Sequence, residues 1–212
     1  MNEELRNRSY HETLVKALAM AASVHCGQLR KGTKIPYISH PMAVAAIVIE
    51  CRGDLGQAVA AILHDAVEDA KEDPEAVKKE IRQKFGEEVL GMVRLLTKPE
   101  AWEGRREDGK ESNLKAWKKK KKGYLDQVRS APKEVRLIAL ADKLHNARAI
   151  LADYRVQGES LWDKFNGPRE GTLWYYEKLV RIFRADPPHP ALFQEFERTM
   201  ADVSRLAGGA AG

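Results

Sequence analysis

The stretch Ile62-Leu63-His64-Asp65-Ala66-Val67-Glu68-Asp69 sets one histidine and three carboxylates into an apolar run. It closes a longer segment, Leu55 to Ala70, that is almost continuously apolar up to His64 and is expected to form a single helix. A helix that is apolar on most sides belongs at the centre of a fold. On a continuous helix His64 and Glu68 stand four apart, as do Asp65 and Asp69, so each pair shares a face. Neighbours differ by about 100° around the axis. His64 and Asp65 are therefore expected to hold one ion from one edge of the helix, with Glu68 and Asp69 a turn further on and free for other work. Imidazole and carboxylate together suit a divalent metal, and a metal can make a nucleophile of water.

Outward from this segment the signals remain helical. His11 to Val24 carries Leu14, Ala17, Leu18, Ala21 and Ala22 at amphipathic spacing, and Gly27 ends it. Gln28 to Tyr37 is a polar loop broken by Gly32 and Pro36. Pro41 fits the start of a second helix, where its missing N–H costs nothing. Downstream, helices are expected over Glu75–Phe85, Glu87–Leu96, Leu114–Ser130 (interrupted at Gly123), Pro132–Tyr154, Thr172–Phe183 and Ala191–Leu206, with Pro99–Asn113 a loop. Nothing alternates with the period of a strand. The expectation is an all-α bundle of eight or more helices.

The chain of 212 residues suits one domain, 1–212, with its core at about 10–185, a terminal helix at 191–206 and a frayed Gly-rich tail. Hydrophobic residues make up 43% and charged residues 32%, a globular composition. It has no apolar run of membrane-spanning length and no secretory h-region near Met1, so a cytoplasmic protein is expected. Cys26 and Cys51 form no CxxC pair and read as small core residues rather than zinc ligands. Net charge is +5, and Arg105 to Arg136 holds twelve Lys/Arg against five Asp/Glu. That excess points to an anionic partner, a phosphorylated small molecule or a nucleic acid. Within it, Lys118 to Lys122 is either a solvated face or a rim attracting polyphosphate, with one or two lysines at most reaching one ligand. Tyr124 reads equally as core or as a contact to phosphate or base.

Two further segments offer ligands: Ser39-His40-Pro41 upstream, and Leu140-Ala141-Asp142-Lys143-Leu144-His145-Asn146 downstream. His40 stands just before the Pro41 helix, where a loop end can aim its ring. Asp142 lies in an apolar helix, where a carboxylate is costly unless paired or bound to metal. His40, His64, Asp65 and Asp142 make a nitrogen/oxygen set suited to manganese, iron or zinc. Plainer roles compete: His40 as a hydrogen-bonded structural residue, Asp65 as a surface carboxylate, Asp142 paired with Arg136 or Arg148. His25 reads as a capping or packing residue, and His145 as a neighbour of Asp142. The aromatics Trp162, Phe165, Trp174, Tyr175 and Phe183 read as core.

The ordered set Arg30-Lys31-Gly32…Pro36-Tyr37-Ile38-Ser39-His40-Pro41, Leu63-His64-Asp65-Ala66-Val67-Glu68-Asp69 and Leu140-Ala141-Asp142-Lys143-Leu144-His145-Asn146 resembles the HD superfamily of phosphohydrolases. More narrowly it resembles the hydrolase domain of RelA/SpoT homologues and the stand-alone small alarmone hydrolases. Thr172-Leu173-Trp174-Tyr175-Tyr176 looks like the single-domain members. The resemblance implies an HD-domain helical bundle in which His40, His64, Asp65 and Asp142 bind one metal, usually manganese. Glu68 and Asp69 would form the catalytic acidic pair. Arg30 and Lys31 would line the base and sugar, and Asn146 would contact the nucleotide. Lys143 and Tyr124 are further candidates for substrate contact. The implied activity is hydrolysis of guanosine tetra- and pentaphosphate (ppGpp and pppGpp) at the 3′-pyrophosphate. A synthetase domain does not fit in 212 residues, so a hydrolase-only form is expected, as a monomer or homodimer. Ala149 departs from longer homologues, which often carry a hydroxyl residue there. This keeps (p)ppApp and NADPH as alternative substrates. A non-enzymatic nucleic-acid binder built on the basic stretch is the distant alternative.

Overall fold

The computed structural model describes residues 3–70, 72–97, 110–165 and 168–208. Among them are nine α-helices: α1 (Glu3–Val24), α2 (Ser39–Glu50), α3 (Leu55–Leu63), α4 (Ala66–Asp69), α5 (Pro74–Leu96), α6 (Lys110–Ser130), α7 (Lys133–Gln157), α8 (Arg169–Ala185) and α9 (Pro190–Leu206). A 3₁₀ turn, Gly158–Lys164, follows α7. No strand occurs among the described residues; extended pairing is limited to the isolated Leu29–Pro36 bridge. The all-α expectation holds.

The chain falls into two compact units. The first comprises residues 1–98 and 133–141, the second 99–132 and 142–212. In the first, α3 contacts α1, α2 and α5, and every residue from Gln57 to Leu63 is buried. The apolar run thus forms the central helix, as its composition requires. Each fully buried Leu, Ile or Val there contributes about 1.5–3 kcal/mol. Helix α3 begins on a capping box: the Asp54 carboxylate accepts from Gln57 N at 2.8 Å, and the Gln57 side chain accepts from Asp54 N at 2.9 Å. The short α4 contacts α1 and α5. In the second unit α8 contacts α6 and α9, around Tyr176, Leu179, Phe183 and Phe196.

Several sequence expectations are corrected. Helix α1 starts at Glu3 rather than His11, and α6 runs unbroken through Gly123 and begins at Lys110, inside the expected loop. The rest of that loop, 99–109, lies outside the described residues. Cys26 is exposed in the turn after α1 and Cys51 half-buried after α2, so neither is a core residue. The stop expected at Gly86 holds: α5 is two helical segments that meet there, with Gly86 outside helical geometry at φ 90° and ψ 171°. Most consequential is the single helix expected over 55–70, which is broken at His64 and Asp65.

Candidate metal centre

The break has a local cause. His64 Nδ1 lies 2.8 Å from the Ala61 carbonyl, the acceptor that a continuing helix would offer to the Asp65 N–H. Asp65 turns to φ −97°, ψ −5°, the sparsely allowed bridge region favoured by active-site residues. The helix resumes when Asp69 N donates to Asp65 O at 2.9 Å. The single-helix argument for His64 with Glu68 therefore does not apply, whereas Asp65 and Asp69 keep helical spacing from the start of α4. His64 and Asp65 stand at a corner between α3 and α4.

His40 enters from α2. It occupies the first turn of that helix rather than the preceding loop, and its N–H donates to Tyr37 O at 2.8 Å. His40 and His64 are buried, with ring centroids 5.1 Å apart, and Asp65 is partly buried. Their ligand atoms all lie within 4.8 Å of one another. Asp65 Oδ2 is 3.0 Å from His64 Nε2 and 3.6 Å from His40 Nε2. The donor set fits a divalent cation. A carbonyl only accepts, so the proton of a neutral His64 ring sits on Nδ1, and Nε2 turns a lone pair toward the anionic oxygen. That is repulsive until a cation shared by these atoms relieves it. An imidazole oriented through its other nitrogen is the usual second shell of a metal-binding histidine.

Sequence reading missed the role of Tyr37. Its hydroxyl donates to Asp65 Oδ2 at 2.6 Å, and its ring lies against those of His25 at 4.8 Å and His40 at 5.7 Å. The signal available was its place in the Pro36-Tyr37-Ile38-Ser39-His40 run, which put it three residues before a candidate ligand. Gln28 was missed too: its amide nitrogen donates to Asp69 Oδ2 at 2.9 Å.

The acidic pair separates by exposure: Glu68 is exposed and Asp69 half-buried on α4. Arg30 sits in the loop after α1, pinned where Arg30 N donates to Ile35 O at 2.8 Å, and its guanidinium lies 5.7 Å from the Tyr37 ring centre. Lys31 is exposed beside it, and partial desolvation holds its ammonium below the usual lysine range.

Asp142 and Asn146 stand on α7, within the second unit, as does Lys143. The buried Asp142 carboxylate accepts from Lys143 Nζ and from Asn146 Nδ2, both at 2.5 Å, rather than from Arg148, which pairs with Glu195. Burial alone would pull the Lys143 ammonium down. Asp142, with Tyr124 and Tyr175, outweighs that and holds it well above the usual range. Tyr124 is buried with its ring 4.7 Å from Lys143 Nζ, which favours the core reading of that tyrosine. Of the lysine run, Lys118 lies over Trp174 and Lys121 over Trp117 and Tyr175. These two cover aromatic surface and are not simply solvated.

A model of the HD domain matches residues 17–172, which include His40, His64, Asp65 and Asp142. The chain belongs to the HD-domain family. Among curated relatives, this HD-domain chain is 31% identical over 141 residues to a GTP pyrophosphokinase of Myxococcus xanthus, covering 66% of this chain and 17% of that protein. It is 34% identical over 137 residues to the bifunctional (p)ppGpp synthase/hydrolase SpoT of Escherichia coli K12, covering 65% and 18% respectively. It is likewise 34% identical over 139 residues to a guanosine-3′,5′-bis(diphosphate) 3′-pyrophosphohydrolase of Vibrio cholerae, covering 66% and 18%. The HD-domain chain thus spans under a fifth of the length of these relatives. Among solved structures it resembles a metazoan ortholog of SpoT, described as hydrolysing ppGpp. That match has a TM-score of 0.66 at 25% identity and covers 93% of this chain and 96% of the other. A protein of Listeria monocytogenes EGD-e matches with a TM-score of 0.62 at 25% identity, over 80% of this chain and 99% of the other. No described helix of the HD-domain chain is long and apolar enough to cross a membrane.

Proposed function

We propose that this HD-domain chain is a manganese-dependent hydrolase that removes the 3′-pyrophosphate of guanosine tetra- and pentaphosphate, leaving GDP or GTP and pyrophosphate, in the cytoplasm. The observation that carries the reading is the His40, His64 and Asp65 cluster, with Glu68 and Asp69 on the turn that follows. Relatives named for the same reaction support it. Asp142 is proposed as the fourth ligand on the strength of its Leu140–Asn146 motif. Residues 1–212 are proposed as one hydrolase domain with its core at about 10–185, and the HD-domain match over 17–172 supports this.

A divalent ion held by these residues would supply Lewis acidity to the phosphoryl group and lower the pKa of water. The protein's part is positional and protonic. Hydrolysis adds a water oxygen to the phosphorus attached to O3′ and breaks the P–O3′ bond. One water proton leaves the nucleophile, and O3′ gains one. Glu68 and Asp69 are the groups proposed to accept and deliver these protons. Arg30 and Lys31 are proposed to meet the base and sugar. Lys143 and Asn146, together with Tyr124, are the remaining candidates for nucleotide contact.

Purified protein with manganese should release pyrophosphate from ppGpp, and His64→Ala or Asp65→Ala should abolish release by removing a ligand. Wild-type protein that binds manganese yet releases nothing from ppGpp would overturn the reading. Parallel assays on (p)ppApp and NADPH settle whether guanine is the preferred base.

A further inference from the structure

Asp69 is held by a relay of two residues to which the proposed chemistry gives no role. Gln28 Nε2 donates to Asp69 Oδ2 at 2.9 Å, and Gln28 Oε1 lies 2.8 Å from His25 Nδ1. His25 itself is 3.5 Å from Asp69 Oδ2, too far for a good hydrogen bond, so the connection runs through the carboxamide. The His25 side chain is fully buried, and its ring packs on Tyr37 with centroids 4.8 Å apart.

The hydrogen-bonding capacities settle the orientation. A carboxylate only accepts, so the amide nitrogen of Gln28 must face Asp69, and its oxygen must face His25. An amide oxygen only accepts, so His25 must carry its proton on Nδ1. His25 Nε2 is buried and has no hydrogen-bond partner among the described residues, so a proton there would go unused. The Gln28 backbone is pinned as well: its N–H donates to His25 O at 3.0 Å, and its carbonyl accepts from Tyr37 N at 2.9 Å. Ordering a long glutamine at both ends costs conformational entropy, a cost that a surface side chain would not bear.

We infer that Gln28 is a positioning residue for Asp69, and that buried His25, as the Nδ1–H tautomer, locks the Gln28 amide against flipping. Gln28 occupies Oδ2 and leaves Oδ1 as the oxygen available to the reaction. The inference rests on reading Asp69 as one of the catalytic acidic pair.

The test uses the full manganese-loaded chain. Gln28→Ala should lower kcat about 10- to 100-fold, the usual range for an outer-shell partner, with KM and the manganese titration unchanged. His25→Ala should fall with it. His25→Asn, whose amide nitrogen stands where Nδ1 does, should restore most of the loss, whereas His25→Gln, which mimics Nε2, should not. The double variant His25→Ala/Gln28→Ala should be no slower than Gln28→Ala alone, as expected of two residues acting as one unit. Independently of turnover, 15N NMR of the wild-type imidazole should place the His25 proton on Nδ1. A proton on Nε2, a Gln28→Ala kcat equal to wild type, or equal rescue by Asn and Gln overturns the relay. A wild-type protein inert toward every nucleotide overturns the activity reading instead, and with it the catalytic purpose of the relay, while the imidazole spectrum still decides the hydrogen-bond pattern.

Discussion

At the scale of single residues, the centre is held by side chains that never need to touch a metal. The Tyr37 hydroxyl at 2.6 Å from Asp65 Oδ2 fixes which carboxylate oxygen faces the two imidazoles, and the Ala61 carbonyl fixes the His64 ring. Tyr37→Phe keeps the ring packing and removes only the donor. It should weaken manganese binding about 10- to 100-fold, as outer-shell losses do. Isothermal titration of the variant reads this directly, and an affinity equal to wild type would show that Asp65 is oriented by other contacts. The candidate donor residues were legible because histidine and aspartate inside an apolar run demand a reason to be there. Tyr37 and Gln28 were not, because a loop residue's partner 28 or 41 positions away leaves no periodic trace.

At the scale of elements, the useful irregularities are breaks. The corner at His64 and Asp65 turns α3 into α4, and Gly86 bends α5. Gly86 holds φ 90°, ψ 171°, a region open in practice to glycine alone, and a Cβ added there would meet nothing within 4 Å. The cost of Gly86→Ala is therefore conformational rather than steric crowding, about 1–3 kcal/mol. Urea denaturation should show the midpoint falling with an unchanged m-value. An unshifted midpoint would mean that the bend is not needed for stability. Hydropathy foretold the existence of α3 and its central position. It did not foretell the break, since helix periodicity carries no information on a side chain taking a backbone carbonyl.

At the scale of the whole molecule, each compact unit has its own apolar core, and the His40, His64 and Asp65 cluster lies within the first. Ligand binding to the native state alone stabilises it by about 2.7 kcal/mol at a hundredfold excess over Kd. For a chain of this size that corresponds to roughly 5–10 °C in Tm. Chelation of a manganese-loaded sample should lower Tm by that amount in calorimetry, and the shift should vanish in His64→Ala. An equal loss in both proteins would place the stabilising metal elsewhere.

By itself the sequence determined the helical class, the burial of the 57–63 segment and the identity of the polar residues that the core had to justify. These follow from composition and periodicity, which act locally along the chain. Only the tertiary structure decided that His40 and His64 face one oxygen of Asp65, that Tyr37 holds that oxygen, and that Gln28 reaches Asp69. Those contacts join residues far apart in the chain, and their distances are set by how α1 and α2 pack on α3 and how α4 packs on α1. Packing of this kind depends on volumes and on competing hydrogen bonds at each site, which residue spacing does not encode.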